Sequence, residues 1–403
     1  MSRDVHDGSR DAVDRRTRAS VLGYQPALDG IRCIAILMVL VFHTDWHGKT
    51  LFQAGYLGVD LFFVLSGFLI TVLLLQEARR WRRISLRNFY VRRALRLLPL
   101  AGLLALVGAI VNRTTSVGFA GRPEWQGVAS VALYFANWMH LWRPNALGFM
   151  GHAWSLAIEE QFYLLWPPVL VLLLWRRASR WILLAVPVAL ALGSAGYRAY
   201  QWYAVNHFPA RIRGFLPAML VQNGKEFHVS ERIYYSSVTH ADGLLIGCAL
   251  AVLLVSFPVV LRVTPKVAAL AAGAGTIAIL LVIHGANAQP RTIFLPEWGL
   301  LVFEVAAAAI TGALVLHPGI RMARVLSHRA AVWVGRRSYG VYVIHGVVFS
   351  LLSHVITHES VLVPTMWAVT FALAALSYRY VEGPILRLKD RFSSPRVSPS
   401  LAT

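Results

Sequence analysis

Gly55-Tyr56-Leu57-Gly58-Val59-Asp60-Leu61-Phe62-Phe63-Val64-Leu65-Ser66-Gly67-Phe68-Leu69-Ile70-Thr71-Val72-Leu73-Leu74-Leu75-Gln76 carries a single charged side chain, Asp60. A helix needs about 20 largely apolar residues to cross the hydrocarbon of a bilayer. This run meets that need, and nine others resemble it in length and composition: 29–47, 94–112, 158–175, 180–198, 239–257, 266–284, 297–316, 339–357 and 361–380. The chain has 403 residues, 57% of them hydrophobic and 14% charged. A soluble domain carries about 25% charged residues. The sequence therefore predicts an all-α, polytopic transmembrane bundle of ten spans, not two or three soluble domains.

The link after Gln76 fixes the orientation. It holds Arg79, Arg80, Arg82, Arg83, Arg87, Arg92 and Arg93, and such clusters stay on the cytoplasmic side. An eleventh candidate, 127–142, is short and carries Asn137 and His140. If it crossed, Arg176, Arg177, Arg180 and the five arginines between 321 and 337 would face outward. The sequence predicts instead that 127–142 is re-entrant or interfacial, covered by protein, with both termini cytoplasmic. Residues 1–23 read as a disordered cytoplasmic tail, 24–388 as the membrane domain and 389–403 as a second disordered tail. The first span reads as an uncleaved signal anchor. The link 199–238 is the longest on the outer side and reads as a lid or an acceptor surface.

The net charge of +20 is the positive-inside bias summed over many short links. Basic residues lie between apolar spans, which excludes nucleic acid as a partner. Cys33 and Cys248 stand inside apolar runs and read as small buried hydrophobes. Their spacing is not that of a metal site.

Ionisable groups inside the spans are the functional candidates, because each costs about 2.5–3.5 kcal/mol near the helix centre. His43 stands fourteen residues after Asp29, about 21 Å along the axis, in the outer half of the bilayer. Asp60 needs a partner. Arg92 and Arg96 share a helix face at i, i+4, as a clamp for phosphate oxygens or as a plain basic anchor. Glu159 and Glu160 stand at the mouth of the fourth span, and Thr239-His240-Ala241-Asp242-Gly243 opens the sixth. Tyr339 and Tyr342 read as interface-belt residues, and Pro384 as a helix stop. This topology places His43, Glu159, Glu160 and Asp242 toward the outer leaflet. It places Arg32, Arg92, Arg96, His345 and Glu382 toward the inner one. Such a division suits an anionic donor from the cytoplasm and an acceptor from outside. On spans and charges alone a secondary transporter is an equal alternative, although no inverted repeat or paired broken helix is visible.

From about Tyr24 to Pro384 the ordered segments resemble the acyltransferase-3 family of membrane O-acyltransferases. The carriers are Leu28-Asp29-Gly30-Ile31-Arg32 followed by His43, then Gly58 to Ile70, then Arg92 to Arg96. Trp154-Ser155-Leu156-Ala157-Ile158-Glu159-Glu160-Gln161-Phe162-Tyr163, Ser338-Tyr339 with His345, and Glu382-Gly383-Pro384 complete them. The resemblance implies transfer of an acetyl or other short acyl group from acyl-CoA, typically acetyl-CoA, to a hydroxyl of a glycan, glycolipid or secondary metabolite. It implies no metal, and the inner (plasma) membrane of a bacterium as the setting. His43 matches the family's catalytic histidine, Arg92 and Arg96 its paired arginines, and Arg32 its first-span arginine. Under that reading His43 is a general base, with Glu160 or Asp242 orienting its other ring nitrogen. An acyl-His43 intermediate is the alternative. Arg32 would hold the donor or pair with Asp60. His240-Ala241-Asp242 departs from the pattern, since many relatives have Arg before the Asp. The chain resembles the stand-alone form, without the esterase-like domain that some members carry.

Overall fold

The computed structural model describes residues 23–44, 53–114, 123–207, 233–288, 298–388 and 392. Of the expected tails only Gly23 and Phe392 fall among them, and residues 208–232 of the outer link lie outside them. Among the described residues every regular element is helical.

Helix α1, Pro26–Thr44, begins on a proline, whose missing N–H costs nothing at a helix start. A 3-10 turn, Gln53–Leu57, leads into α2, Gly58–Trp81. That helix stops where Arg82 enters the left-handed region at φ 56°. Helix α3, Leu86–Thr114, is basic in its first turns and apolar beyond Pro99. The chain then makes two short helices, α4, Trp125–Ala132, and α5, Ala136–Trp142, broken at Tyr134 with φ 53°. At 1.5 Å per residue neither reaches half the roughly 30 Å of hydrocarbon, so 127–142 does not form a spanning helix. A 3-10 stretch, Pro144–Ala153, precedes α6, Trp154–Trp175. There follow α7, Arg180–His207, α8, Asp242–Ser256, α9, Pro265–Ala288, and α10, Leu300–Leu316. After a short α11, Arg321–Leu326, come α12, Arg329–Ser353, and α13, Glu359–Ser377. A π-helical turn, Tyr378–Glu382, joins α13 to α14, Gly383–Leu388.

Seven helical segments are long and apolar enough to cross a membrane by length and composition: Pro26–Thr44, Gln53–Trp81, Leu86–Arg113, Asn145–Trp175, Arg180–Tyr203, Pro265–Asn287 and Glu359–Leu388. The expected spans at 239–257 and 297–316 correspond to the shorter apolar helices α8 and α10. The span expected at 339–357 belongs to α12, whose first nine residues include Arg329, Arg336 and Arg337. These arginines continue the helix instead of ending it. Arg337 donates to the Trp333 carbonyl at 2.9 Å and its guanidinium lies 4.0 Å from the Trp333 ring, so the charge rides on an aromatic face near the helix end.

The outer surface confirms the solvent. Leu98, Leu106 and Ile110 on α3, Leu164, Leu165 and Leu172 on α6, and Leu270, Ile277 and Leu281 on α9 are all exposed. A soluble protein does not leave so much contiguous apolar surface uncovered; a bilayer covers it. The fold is an all-α polytopic membrane bundle.

Inside, glycines bring backbones together. A methyl group at Gly67 would overlap the Leu244 carbonyl, and one at Gly247 the Val64 carbonyl. Thus α2 and α8 touch main chain to main chain, the small-residue contact expected of Gly67. Gly58 meets the Ala35 carbonyl of α1 in the same way. Gly335 of α12 meets the Asp29 carbonyl. Cys33 and Cys248 are buried free thiols, as their apolar surroundings required.

Candidate active site

The first turns of α3 carry Arg87, Arg92, Arg93 and Arg96, and helix geometry decides which of them face inward. Successive residues point about 100° apart. Arg93, Arg96 and Leu97 share the face that lines a cavity of about 310 Å³ between α1, α2, α3, α6 and α12. Arg92 lies about 100° from Arg93 and falls at the edge of that face. It instead donates to Glu77 Oε2 at 3.1 Å and to the Phe392 carbonyl at 2.8 Å. The inward pair is therefore Arg93 and Arg96, at i, i+3, and not Arg92 and Arg96. Arg93 could have been found in the sequence, since i, i+3 neighbours also share a face.

Arg32 of α1 is the third guanidinium in the lining. Its Nη1 lies 3.2 Å from Asp29 Oδ1, and Asp29 Oδ2 accepts the Tyr24 hydroxyl at 2.7 Å. Arg32 therefore pairs with Asp29, and Asp60 has another partner. Arg93 lies 3.6 Å from the Tyr163 ring and 3.5 Å from Glu160 Oε1. Arg96 forms no ion pair among the described residues and is exposed. Gly23, Gln25 and Gln76 lie at the inner end of the cavity, and Leu28, Leu69 and Leu73 along its wall. Ser66 and Tyr163 both donate to Glu159 Oε1, the latter at 3.0 Å. Tyr339, expected at the membrane interface, also lines the cavity and donates to the Leu97 carbonyl at 2.7 Å.

The outer end of the cavity is Val59, Phe62, Ser155 and Tyr342. The Tyr342 hydroxyl donates to the His152 carbonyl at 2.7 Å and lies 2.5 Å from Ser155 Oγ. The Phe62 and Tyr342 rings stand 6.5 Å apart. Tyr342 is 6% exposed, so it is a core residue and not part of an interface belt. The reason is the helix start: with α12 beginning at Arg329, Tyr342 lies well inside the bundle.

Behind that wall stand three imidazoles. His43 Nδ1 lies 2.8 Å from the Val39 carbonyl. A carbonyl only accepts, so Nδ1 carries the proton and Nε2 the lone pair. The His43 ring lies 4.7 Å from that of His345, which lies 4.6 Å from that of His152. His345 was expected near the inner side. It stands sixteen residues after Arg329, about 24 Å along α12, level with His43 seventeen residues into α1. Among the described residues no group of three or more His, Cys, Asp or Glu is placed to hold a metal ion.

Neither carboxylate expected to orient His43 reaches it. Glu160 lies against Arg93, and Asp242 Oδ2 is 2.6 Å from Arg198 Nη1. Asp242 belongs to a sealed cluster beside α2, α7, α8 and α10. There Asp60 Oδ1 lies 2.6 Å from His240 Nε2. Arg198 also donates to the Thr239 carbonyl at 2.7 Å. Glu304 sets its carboxylate beside Asp242 and against Gly243. Asp60, His240, Asp242 and Glu304 have no exposed surface and Arg198 has 1%. His240 is thus the partner that Asp60 required. The sequence reading missed Arg198 and Glu304, although each is a charge inside an apolar run and hence a candidate by default.

The sequence profile of a family described as an acyltransferase domain matches residues 25–378. A peptidoglycan O-acetyltransferase of Listeria monocytogenes is 32% identical over 389 residues, 92% of this chain and 57% of the relative. A putative peptidoglycan O-acetyltransferase of Bacillus subtilis is 33% identical over 396 residues, 93% of this chain and 57% of the relative. A putative O-acetyltransferase of Staphylococcus aureus is 29% identical over 384 residues, 91% of this chain and 58% of the relative. The chain thus spans a little over half the length of these curated relatives. No solved structure matches it.

Proposed function

The chain belongs to this acyltransferase family, and from that premise we propose that it is an O-acetyltransferase of the bacterial plasma membrane. It moves an acetyl or other short acyl group from acyl-CoA, foremost acetyl-CoA, to a glycan hydroxyl at the outer face. The observation that carries this reading is the cavity itself. Three guanidinium groups, of Arg32, Arg93 and Arg96, line it, and its far end stops at Tyr342, whose ring lies 5.6 Å from that of His345. Guanidinium forks suit phosphate oxygens, and an apolar passage suits a pantetheine arm. The glycan acceptor is carried over from the names of the Listeria and Bacillus relatives.

In this mechanism Arg93 and Arg96 hold the phosphates of the donor and Arg32 supports them. The arm runs past Leu28, Leu69 and Leu73, and the thioester reaches the wall at Phe62 and Tyr342. Passage beyond that wall brings its carbonyl to His43. His43 Nε2 takes the proton of the acceptor hydroxyl as its oxygen attacks the carbonyl carbon. The C–S bond breaks, the C–O ester bond forms, and the proton passes to the leaving CoA thiolate. Attack by His43 itself, giving an acyl-imidazole that the acceptor then cleaves, is the second route.

The test is direct. Purified protein in nanodiscs, given labelled acetyl-CoA and a glycan acceptor, releases free thiol and yields an O-acetylated product. His43→Ala retains the folded, membrane-inserted protein and loses transfer by about 10²–10⁴-fold. Intact donor after prolonged incubation with wild type would reject the reading and favour a transporter. A fully active His43→Ala would remove His43 from it.

A further inference from the structure

We infer that Glu159 positions the acyl donor: its carboxylate receives the amide N–H nearest the sulfur of a pantetheine arm. This rests on the acyl-CoA reading above and adds to it a specific contact for the arm.

Among the described residues Glu159 is the one carboxylate in the lining of a cavity that also holds three guanidinium groups. A negative charge there opposes the phosphates that those groups suit, so it calls for a task of its own. Serving as an ion-pair partner is not that task. Arg32 lies on Asp29 and Arg93 on Glu160.

Both hydrogen bonds that Glu159 receives meet at one oxygen. Ser66 and Tyr163 donate to Oε1, the latter at 3.0 Å. No described residue donates to Oε2, and Oε2 is not among the sealed polar atoms that lack a partner. It therefore opens into the cavity that Glu159 lines. A carboxylate only accepts, so a ligand there must bring an N–H or O–H. The two donors also hold the carboxylate in a set orientation. Tyr163 is 1% exposed, and its ring lies 3.6 Å from the Arg93 guanidinium.

Depth names the donor group. Val59, Phe62, Ser66, Leu69, Leu73 and Gln76 line the cavity. Spaced three and four apart, they form one stripe along α2. Ser66, which holds Glu159, stands four residues inward of Phe62, about 6 Å along the axis. A thioester at the wall of Phe62 and Tyr342 carries its nearest amide nitrogen three bonds from the sulfur. That N–H falls within the one helical turn between Phe62 and Ser66, where Oε2 is open. The other amide and the hydroxyl of the arm lie farther inward. An acyl phosphate brings no such N–H and would set its own oxygens against Oε2. Glu159 thus selects pantetheine thioesters over other activated acyl groups.

The experiment gives purified protein in nanodiscs either acetyl-CoA or an analogue in which a methylene replaces that N–H. The ratio of kcat/KM for the two donors is measured in wild type, Glu159→Gln and Glu159→Leu. Wild type is expected to prefer acetyl-CoA about 10–150-fold, the value of one hydrogen bond to a charged group. Glu159→Gln keeps an acceptor without the charge. Its preference should fall to about 3–12-fold, since the charge roughly doubles the bond. Glu159→Leu should use the two donors alike within about twofold. A Glu159 that only supports the fold would lower both rates together and leave the ratio at its wild-type value, which overturns the inference. So does a wild type that uses both donors equally. If Glu159→Leu does not fold, Glu159→Gln decides: an unchanged ratio overturns the inference, and a smaller one supports it. Failure of the donor reading itself looks different, because wild type then transfers from neither compound, and the inference falls with it.

Discussion

Two regions of this protein concentrate charge inside a bilayer, and they do so in opposite ways. The inner cavity gathers Arg32, Arg93 and Arg96 around open space. The outer cluster packs Asp60, Asp242 and Glu304 against His240 and Arg198 with no exposed carboxylate or imidazole. One carries surplus cation and leaves Arg96 without an ion pair among the described residues. The other pairs its groups within the protein at 2.6 Å. Exposed and unpaired charge invites a ligand. Sealed and paired charge fixes helices, and is strongly destabilising to break.

That contrast sorts substitutions by kind and size. Asp242→Asn breaks the ion pair with Arg198 in a dry site and should cost about 3–5 kcal/mol. Thermal unfolding in detergent will show a large loss of stability, or no folded protein at all. An Asp242→Asn protein as stable as wild type would mean that the cluster is not a structural clamp. Arg96→Ala should leave stability nearly unchanged and raise the KM for acetyl-CoA about 10–150-fold, the value of one charge-assisted hydrogen bond of roughly 1.5–3 kcal/mol. Steady-state kinetics at two salt concentrations will check this, because removing the cation should also flatten the salt dependence. Glu304→Gln keeps the shape and removes one of three carboxyl groups gathered around a single guanidinium. Its unfolding midpoint should move by less than about 1 kcal/mol in equivalent stability, or rise. Arg92→Ala should be the mildest, within about twofold in KM, since Arg92 holds Glu77 and a main-chain carbonyl outside the cavity. If Arg92→Ala costs as much as Arg96→Ala, the donor contacts both faces of α3.

Much of this was legible before any coordinates. Where the arginines fall keeps segment 127–142 out of the spans, and the structure makes it two short helices. Asp60 was marked as needing a partner, and Gly67 as a close-contact residue. What could not be read was phase and depth. Arg92–Arg96 and Arg93–Arg96 are equally good pairs on a wheel, and only neighbouring helices decide which faces inward. The depth of His345 is hidden because α12 begins among polar residues at Arg329, ten positions before its apolar run. Arg198 and Glu304 acquire meaning only when α7, α8 and α10 meet, since they stand 106 positions apart in the chain.

The close approach of α2 and α8 at Gly67 and Gly247 also bears on the walls of the cavity. Main chain against main chain leaves no side-chain layer to deform, so α2, braced from behind by α8, is the fixed wall of the cavity. Compliance has to come from the facing side. Pro99 interrupts α3 two residues beyond Leu97 and deprives the Leu95 carbonyl of its helical donor. The arm of α3 that bears Arg93 and Arg96 thus has one main-chain tie fewer to the rest of its helix than an unbroken helix would have. The wall that carries the guanidinium groups is therefore the one least tied to the rest of the bundle, and the wall that faces it is the one most tightly seated.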